Sequence, residues 1–154
     1  RMIRGQFYMA KTPIETFKSE EEFTATCEYW KNKLYLTDWT IKFELADDTI
    51  KETDDNLEGI PLLGECTFNF INKQAFIQVD NTHGIAELTL VHELLHLLIQ
   101  FMSEDCLVCE NIELERNVYK DALVHQSMEQ MAKTLLMVKY PSIDKSFFVK
   151  DFSL

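Results

Sequence analysis

The chain has 154 residues, of which 46% are hydrophobic and 27% charged. Those are ordinary globular proportions, so wholesale disorder and collagen-like repeats are excluded, and the length suits one domain. Fifteen Lys and Arg against twenty-six Asp and Glu leave a net charge of −11, which argues against a nucleic-acid backbone or an anionic membrane as the partner.

Arg1-Met2 is an unusual opening, and the natural start is expected at Met2 or Met9. Residues 1–12 read as a disordered or expression-derived N-terminus, 13–140 as a single domain and 141–154 as a C-terminal tail. Ile3 to Ala10 is too short and too polar for a signal-peptide core. No apolar run is long enough for a transmembrane helix. The four cysteines, Cys27, Cys66, Cys106 and Cys109, then read as reduced thiols of a cytoplasmic protein. Cys106 and Cys109 form a CxxC, but Cys27 and Cys66 lack the paired spacing that would complete a four-cysteine zinc site.

Residues 13–36 look helical, with Phe17, Phe23, Cys27, Trp30 and Leu34 at helical spacings and acids at 20–22, where the helix dipole favours them. Trp39 to Leu45 alternates Trp39, Ile41, Phe43 and Leu45 with polar residues, the period of a half-buried strand. Residues 46–60 are acidic and polar and read as a mobile loop. Gly64–Ile71 and Ala75–Val79 form a hairpin around Asn72-Lys73-Gln74. From Ile85 to Tyr140 there is neither Gly nor Pro. Ala86 to Met102 is almost wholly apolar and predicts a buried helix. A second helix is expected from about Leu107 to Lys139, ended by Pro141. In the tail, Phe147, Phe148, Val149 and Phe152 are expected to pack back on the domain.

The chemistry concentrates in Val91-His92-Glu93-Leu94-Leu95-His96. On a helix His92 and His96 are one turn apart and share a face, so both imidazoles can bind one Zn2+. Glu93 is rotated by about 100° from His92 and is placed to act as a general base without being a ligand. This is the HExxH logic. Thr89, His92, Glu93, His96 and Gln100 are the polar residues of an otherwise apolar stretch, and buried ionisable groups need partners. A metal would satisfy both histidines.

A third protein ligand is needed. His125 is the first choice and Glu129, one turn on, the second. Glu110 and Glu113 lie nearer the helix start, where acids have a plain dipole explanation. Asp121 or Glu129 could orient the His125 ring through its other nitrogen. His83, in the loop before the helix, and Tyr119 are candidates for stabilising an oxyanion.

These residues resemble the compact HExxH zinc metallopeptidases, most of all small phage- and mobile-element-encoded proteins similar to the ImmA/IrrE-type and SprT-like groups. The likeness spans roughly residues 36–137. It rests on the Trp39–Leu45 strand, the Glu65–Val79 hairpin, VHELLHLL at 91–98 and HQSMEQMAKTLL at 125–136. The last segment is similar to the ImmA/IrrE pattern E-x-x-A-N-x-F-A-x-x-L-L. It departs from that pattern by carrying His125 where the family has its glutamate ligand and Glu129 where it has Asn.

The resemblance implies an α+β, minimal zincin-like fold. It would comprise an N-terminal helix, a small three-stranded twisted sheet, the HExxH helix and a long following helix. It also implies that Ala75–Asp80 or its partner strand is the edge that binds an extended peptide by strand addition. The resulting expectation is a zinc-dependent peptidase acting on a peptide or protein, with one Zn2+ on His92, His96 and His125 and Glu93 as catalytic base. The alternatives are a zinc-binding phage or regulatory interaction protein with little turnover, whose acidic surface would suit a basic partner, and a helical protein without metal.

Overall fold

The computed structural model describes residues 11–47, 50–51, 61–104 and 114–149. The fold is α+β: among the described residues, four helices and a small mixed three-stranded sheet with a two-stranded ribbon beside it.

Helix α1 spans Glu20–Lys33. Ser19 caps it by accepting from the Glu22 backbone N–H, and three acids occupy its first turn, where the positive end of the dipole stabilises them. Tyr35, at φ 57°, turns the chain out of the helix. The expected helix over 13–36 is thus shorter at both ends. The segment before Ser19 instead caps a later helix. The carbonyls of Ile14 and Glu15 accept from the N–H groups of Glu87 and Ala86, which that helix leaves open at its start.

Strand β1 (Thr40–Ala46) shows the alternating burial that its sequence predicts. Residues 46–60 are not uniformly loop. Ile50–Lys51 (β2) pairs antiparallel with Pro61–Leu62 (β3), and 48–49 and 52–60 lie outside the described residues. Strand β4 (Gly64–Asn69) and β5 (Gln74–Asp80) form the expected hairpin, turned at Lys73 with φ 52°. The order is β1-β5-β4, with β1 parallel to β5 from Thr40↔Gln74 to Ala46↔Asp80. Ala75–Asp80 is therefore the central strand and is paired on both sides. The expectation that it offers a free edge is corrected; its partner β4 is an edge of this sheet among the described residues.

Helix α2 (Ala86–Glu104) lies across β5 and β4 and also meets α1 and α3 (Leu114–Lys139). One face of α2 buries Leu90, Val91, Leu94 and Leu95 against Ile77 and Val79 of the sheet, Phe23 and Trp30 of α1, and Met128, Ala132 and Leu136 of α3. Each large apolar side chain so removed from water contributes about 1.5–3 kcal/mol, and this shared core fixes how α2 and α3 face one another. Helix α3 is described from Leu114, so its expected start near Leu107 lies outside the described residues. Past Pro141 the short helix α4 (Ser146–Val149) folds back and buries Phe148, while Val149 stays exposed. Phe152 lies outside the described residues. No helix among the described residues is long and apolar enough to cross a membrane.

Candidate metal centre

His92 and His96 sit one turn apart on the face of α2 that is not given to the core, and both are half-buried. Helix α3 brings the exposed His125 opposite them because Met128, one turn further along it, is buried in the core that α2 and α3 share. The His92 and His96 ring centroids are 5.2 Å apart, those of His96 and His125 4.9 Å, and those of His92 and His125 5.7 Å, the last two rings lying within 17° of parallel. One ring nitrogen from each of the three falls within 4.8 Å of the others, a group that could hold a metal ion.

The chemistry of the set fits such an ion. Three imidazoles are borderline-soft donors suited to first-row divalent metals. The His92 Nδ1 lies 2.8 Å from Glu129 Oε2, so that carboxylate holds the Nδ1 proton and leaves Nε2 as the donor atom. A metal-binding histidine is commonly fixed in this way through its second nitrogen. Glu129 thus serves His92, a ring that the spacing along its own helix does not point to, and it is not in the three-residue group. Burial alone would lower the pKa of His92, but the hydrogen bond to Glu129 and the nearby Glu93 leave it raised. Glu129 is correspondingly lowered by the same bond.

Glu93 is 6% exposed, with Oε2 3.8 Å from His96 Nε2. Burial is the main force on its carboxyl, helped by Glu65 and Glu129 and opposed by His92, and it pushes the pKa up to about 7. The strand wall beside it is Gly64. A Cβ there would stand 2.9 Å from both Cγ and Oε1 of Glu93 and 2.6 Å from Thr89 Cγ2. Only the bare backbone of glycine lets β4 lie against this carboxylate.

The group opens into a cavity of about 810 Å³, lined on one side by Leu63, Gly64, Glu65 and Cys66 and on the other by α2 and the loop at His83. That volume is of the size that takes small ligands or a short peptide segment. Cys66 is a free thiol whose pKa is pushed up by burial and by Glu93 and Glu65, which keeps it neutral. Cys27, buried in α1, is also a free thiol, and among the described residues neither cysteine belongs to a group that could hold a metal.

The chain matches no protein family, no curated protein and no solved structure. Its function has to be read from the site itself.

Other candidates fall differently. His83 lines the same cavity. Glu110, Glu113, Cys106 and Cys109 lie outside the described residues, and the side chains of Tyr119 and Asp121 are likewise not described. Two residues of structural weight carry no sequence signal of their own. Gly64 does no more in the sequence than open a strand. Glu87 looks like an ordinary first-turn acid, yet it is fully buried and accepts from the Ile14 N–H, the Trp30 Nε1–H, the Lys139 ammonium and the Tyr140 hydroxyl.

Proposed function

We propose that this protein is a zinc-dependent peptidase in which His92, His96 and His125 hold one Zn2+ and Glu93 is the general base, on a zincin-like scaffold similar to the ImmA/IrrE-type and SprT-like enzymes. The observation that carries the reading is the convergence of three imidazoles from two helices beside a buried, basic carboxylate in a cavity. Three nitrogen ligands leave a fourth position for water or substrate, the catalytic rather than the structural pattern.

When bound, zinc supplies a Lewis acid that polarises the scissile carbonyl and lowers the pKa of the attacking water. The chain's own groups do the rest. Glu129 fixes the His92 ring through Nδ1. The Glu93 carboxylate takes a proton from the water as its oxygen attacks the carbonyl carbon, and passes that proton to the nitrogen of the leaving amine as the C–N bond breaks. A buried carboxylate beside the three imidazoles can serve both halves of this exchange. Among the described residues β4 ends the sheet and its first residues line the cavity, which suits the addition of an extended peptide.

The test is metal content together with hydrolysis of a fluorogenic peptide library. Wild type should carry one zinc per chain and cleave. Glu93→Gln should keep the zinc and lose about 10²–10⁴-fold in rate, the span attributed to a positioned acid–base group. His92→Ala and His96→Ala should lose the zinc. Full activity in Glu93→Gln would reject the mechanism. Stoichiometric zinc in a wild type that cleaves nothing would favour the interaction protein instead.

A further inference from the structure

The loop between β5 and α2 carries a histidine that the proposed mechanism does not use. His83 lines the same cavity as the three imidazoles and Glu93, and its side chain is 58% exposed. Behind it stands Asp80, whose side chain is fully buried. The Asp80 Oδ1 accepts from the Thr82 backbone N–H at 2.7 Å and from the Thr82 hydroxyl at 2.6 Å. Its Oδ2 lies 3.1 Å from His83 Nδ1, and the Thr82 Oγ1 lies 2.7 Å from the same nitrogen. With the Thr82 proton given to Asp80, the Nδ1 proton belongs to the ring and is held from two sides. That leaves Nε2 as the nitrogen a substrate can meet.

The loop is held at each end. The Asp80 N–H donates to the Leu63 carbonyl and the Asn81 N–H to the Ala46 carbonyl. The Asn81 side chain brackets the Phe17 backbone, accepting from its N–H at 2.7 Å and donating to its carbonyl at 3.0 Å. Gly84, at φ 67°, turns the chain into α2. A turn that needed only capping would be satisfied by Oδ1 and Thr82. The second oxygen is buried and directed at a ring that faces the cavity. Burying a carboxylate is costly, and here its hydrogen bonds hold an imidazole in one orientation.

We infer that His83 is a second catalytic residue, oriented by Asp80 and Thr82, whose Nε2 meets the carbonyl oxygen of the bound peptide and stabilises the negative charge that develops there. The inference rests on the peptidase reading. No bond is made to His83. The form that donates carries a proton on each ring nitrogen: Nε2–H meets the oxygen while Nδ1–H stays on Asp80. Charge stabilisation of this kind acts on the transition state more than on the bound substrate.

The experiment uses the zinc-loaded full chain and compares wild type, His83→Ala and His83→Gln on one cleaved peptide. His83→Ala should lose about 10²-fold in kcat, within the span found on removing one such donor. KM should stay within about twofold, since ground-state binding is not what the donor improves. Zinc content and melting temperature should not move. A phosphinic analogue of the same peptide should bind His83→Ala about as much more weakly as kcat falls, because it resembles the transition state. His83→Gln, which keeps an N–H donor of similar reach, should recover part of the rate. An active wild type with His83→Ala within threefold of it in kcat overturns this inference alone. So does a loss that falls on KM, or one that tracks lost zinc. A wild type that cleaves nothing overturns the inference together with the peptidase reading.

Discussion

Glu93 sits where a carboxylate is held back from ionising, and that has a consequence beyond catalysis. Without metal, burial raises its pKa from the ordinary 4.5 to about 7. The folded chain then binds a proton more tightly than the unfolded one across that interval. The contribution of Glu93 to stability is full below about 4.5 and is lost as pH rises through about 7. The loss is on the order of 3 kcal/mol. A bound cation reverses the balance by favouring the charged form. Thermal melts in chelator from pH 5 to pH 8 should therefore show wild type losing stability relative to Glu93→Gln, and the gap should shrink when zinc is restored. Parallel curves for the two proteins in chelator would mean that the carboxyl is not raised.

The elements are tied together at a different acid. Glu87, in the first turn of α2, joins the segment before α1, α1 itself through Trp30, and the end of α3 through Lys139 and Tyr140. Lys139 also stands 4.3 Å from the Tyr29 ring centroid, so its charge is shared between a carboxylate and aromatic faces. Glu87→Ala would leave a nearly buried ammonium and three further donors without their acceptor, and should cost about 3–5 kcal/mol in urea unfolding. Glu87→Gln keeps the shape and should cost less, and zinc binding should survive in whatever folds. Equal stability of Glu87→Ala and wild type would mean that the network is incidental. Nothing in the sequence singles this residue out, because an acid in a first turn is what any helix start presents. The strands were legible, since Ile41, Phe43 and Leu45, and then Cys66 and Phe68, alternate at period two and turn inward as that period requires. So were His92, Glu93 and His96, whose spacing sets their faces as soon as α2 is a helix. What was not legible depends on distant partners. Residues 14 and 15 cap α2 from more than seventy positions away. β1 enters the sheet parallel to β5 and so makes Ala75–Asp80 central. Glu129 reaches His92 across the gap between two helices.

At the scale of the whole molecule, the candidate metal centre joins α2 to α3 beside the His92–Glu129 bond and the half-buried Val124. Towards its C-terminal end α3 is anchored by Met128, Ala132 and Leu136 in the core and by Lys139 on Glu87. His125, by contrast, is exposed, and so are its neighbours Gln126 and Ser127. A cation bridging His125 to His92 and His96 would add a tie to a part of α3 whose apolar anchors are the half-buried Val124 and the buried Met128. Local opening free energies follow such differences in anchoring, and they are read by amide hydrogen exchange. Removing zinc should speed exchange around 122–127 and leave 132–139 near its protected level. The same bridge stabilises the fold by mass action. At free zinc 100-fold above its Kd the gain is about 2.7 kcal/mol, and for a chain of this size each kcal/mol is worth about 2–4 °C in Tm. Wild type should thus melt about 5–11 °C higher with zinc than in chelator. His125→Ala should lose most of that shift, because it removes one of the three imidazoles that would hold the ion. Uniform exchange along α3 with and without metal, or an unchanged zinc shift in His125→Ala, would place the third ligand elsewhere and leave only the α2 pair standing.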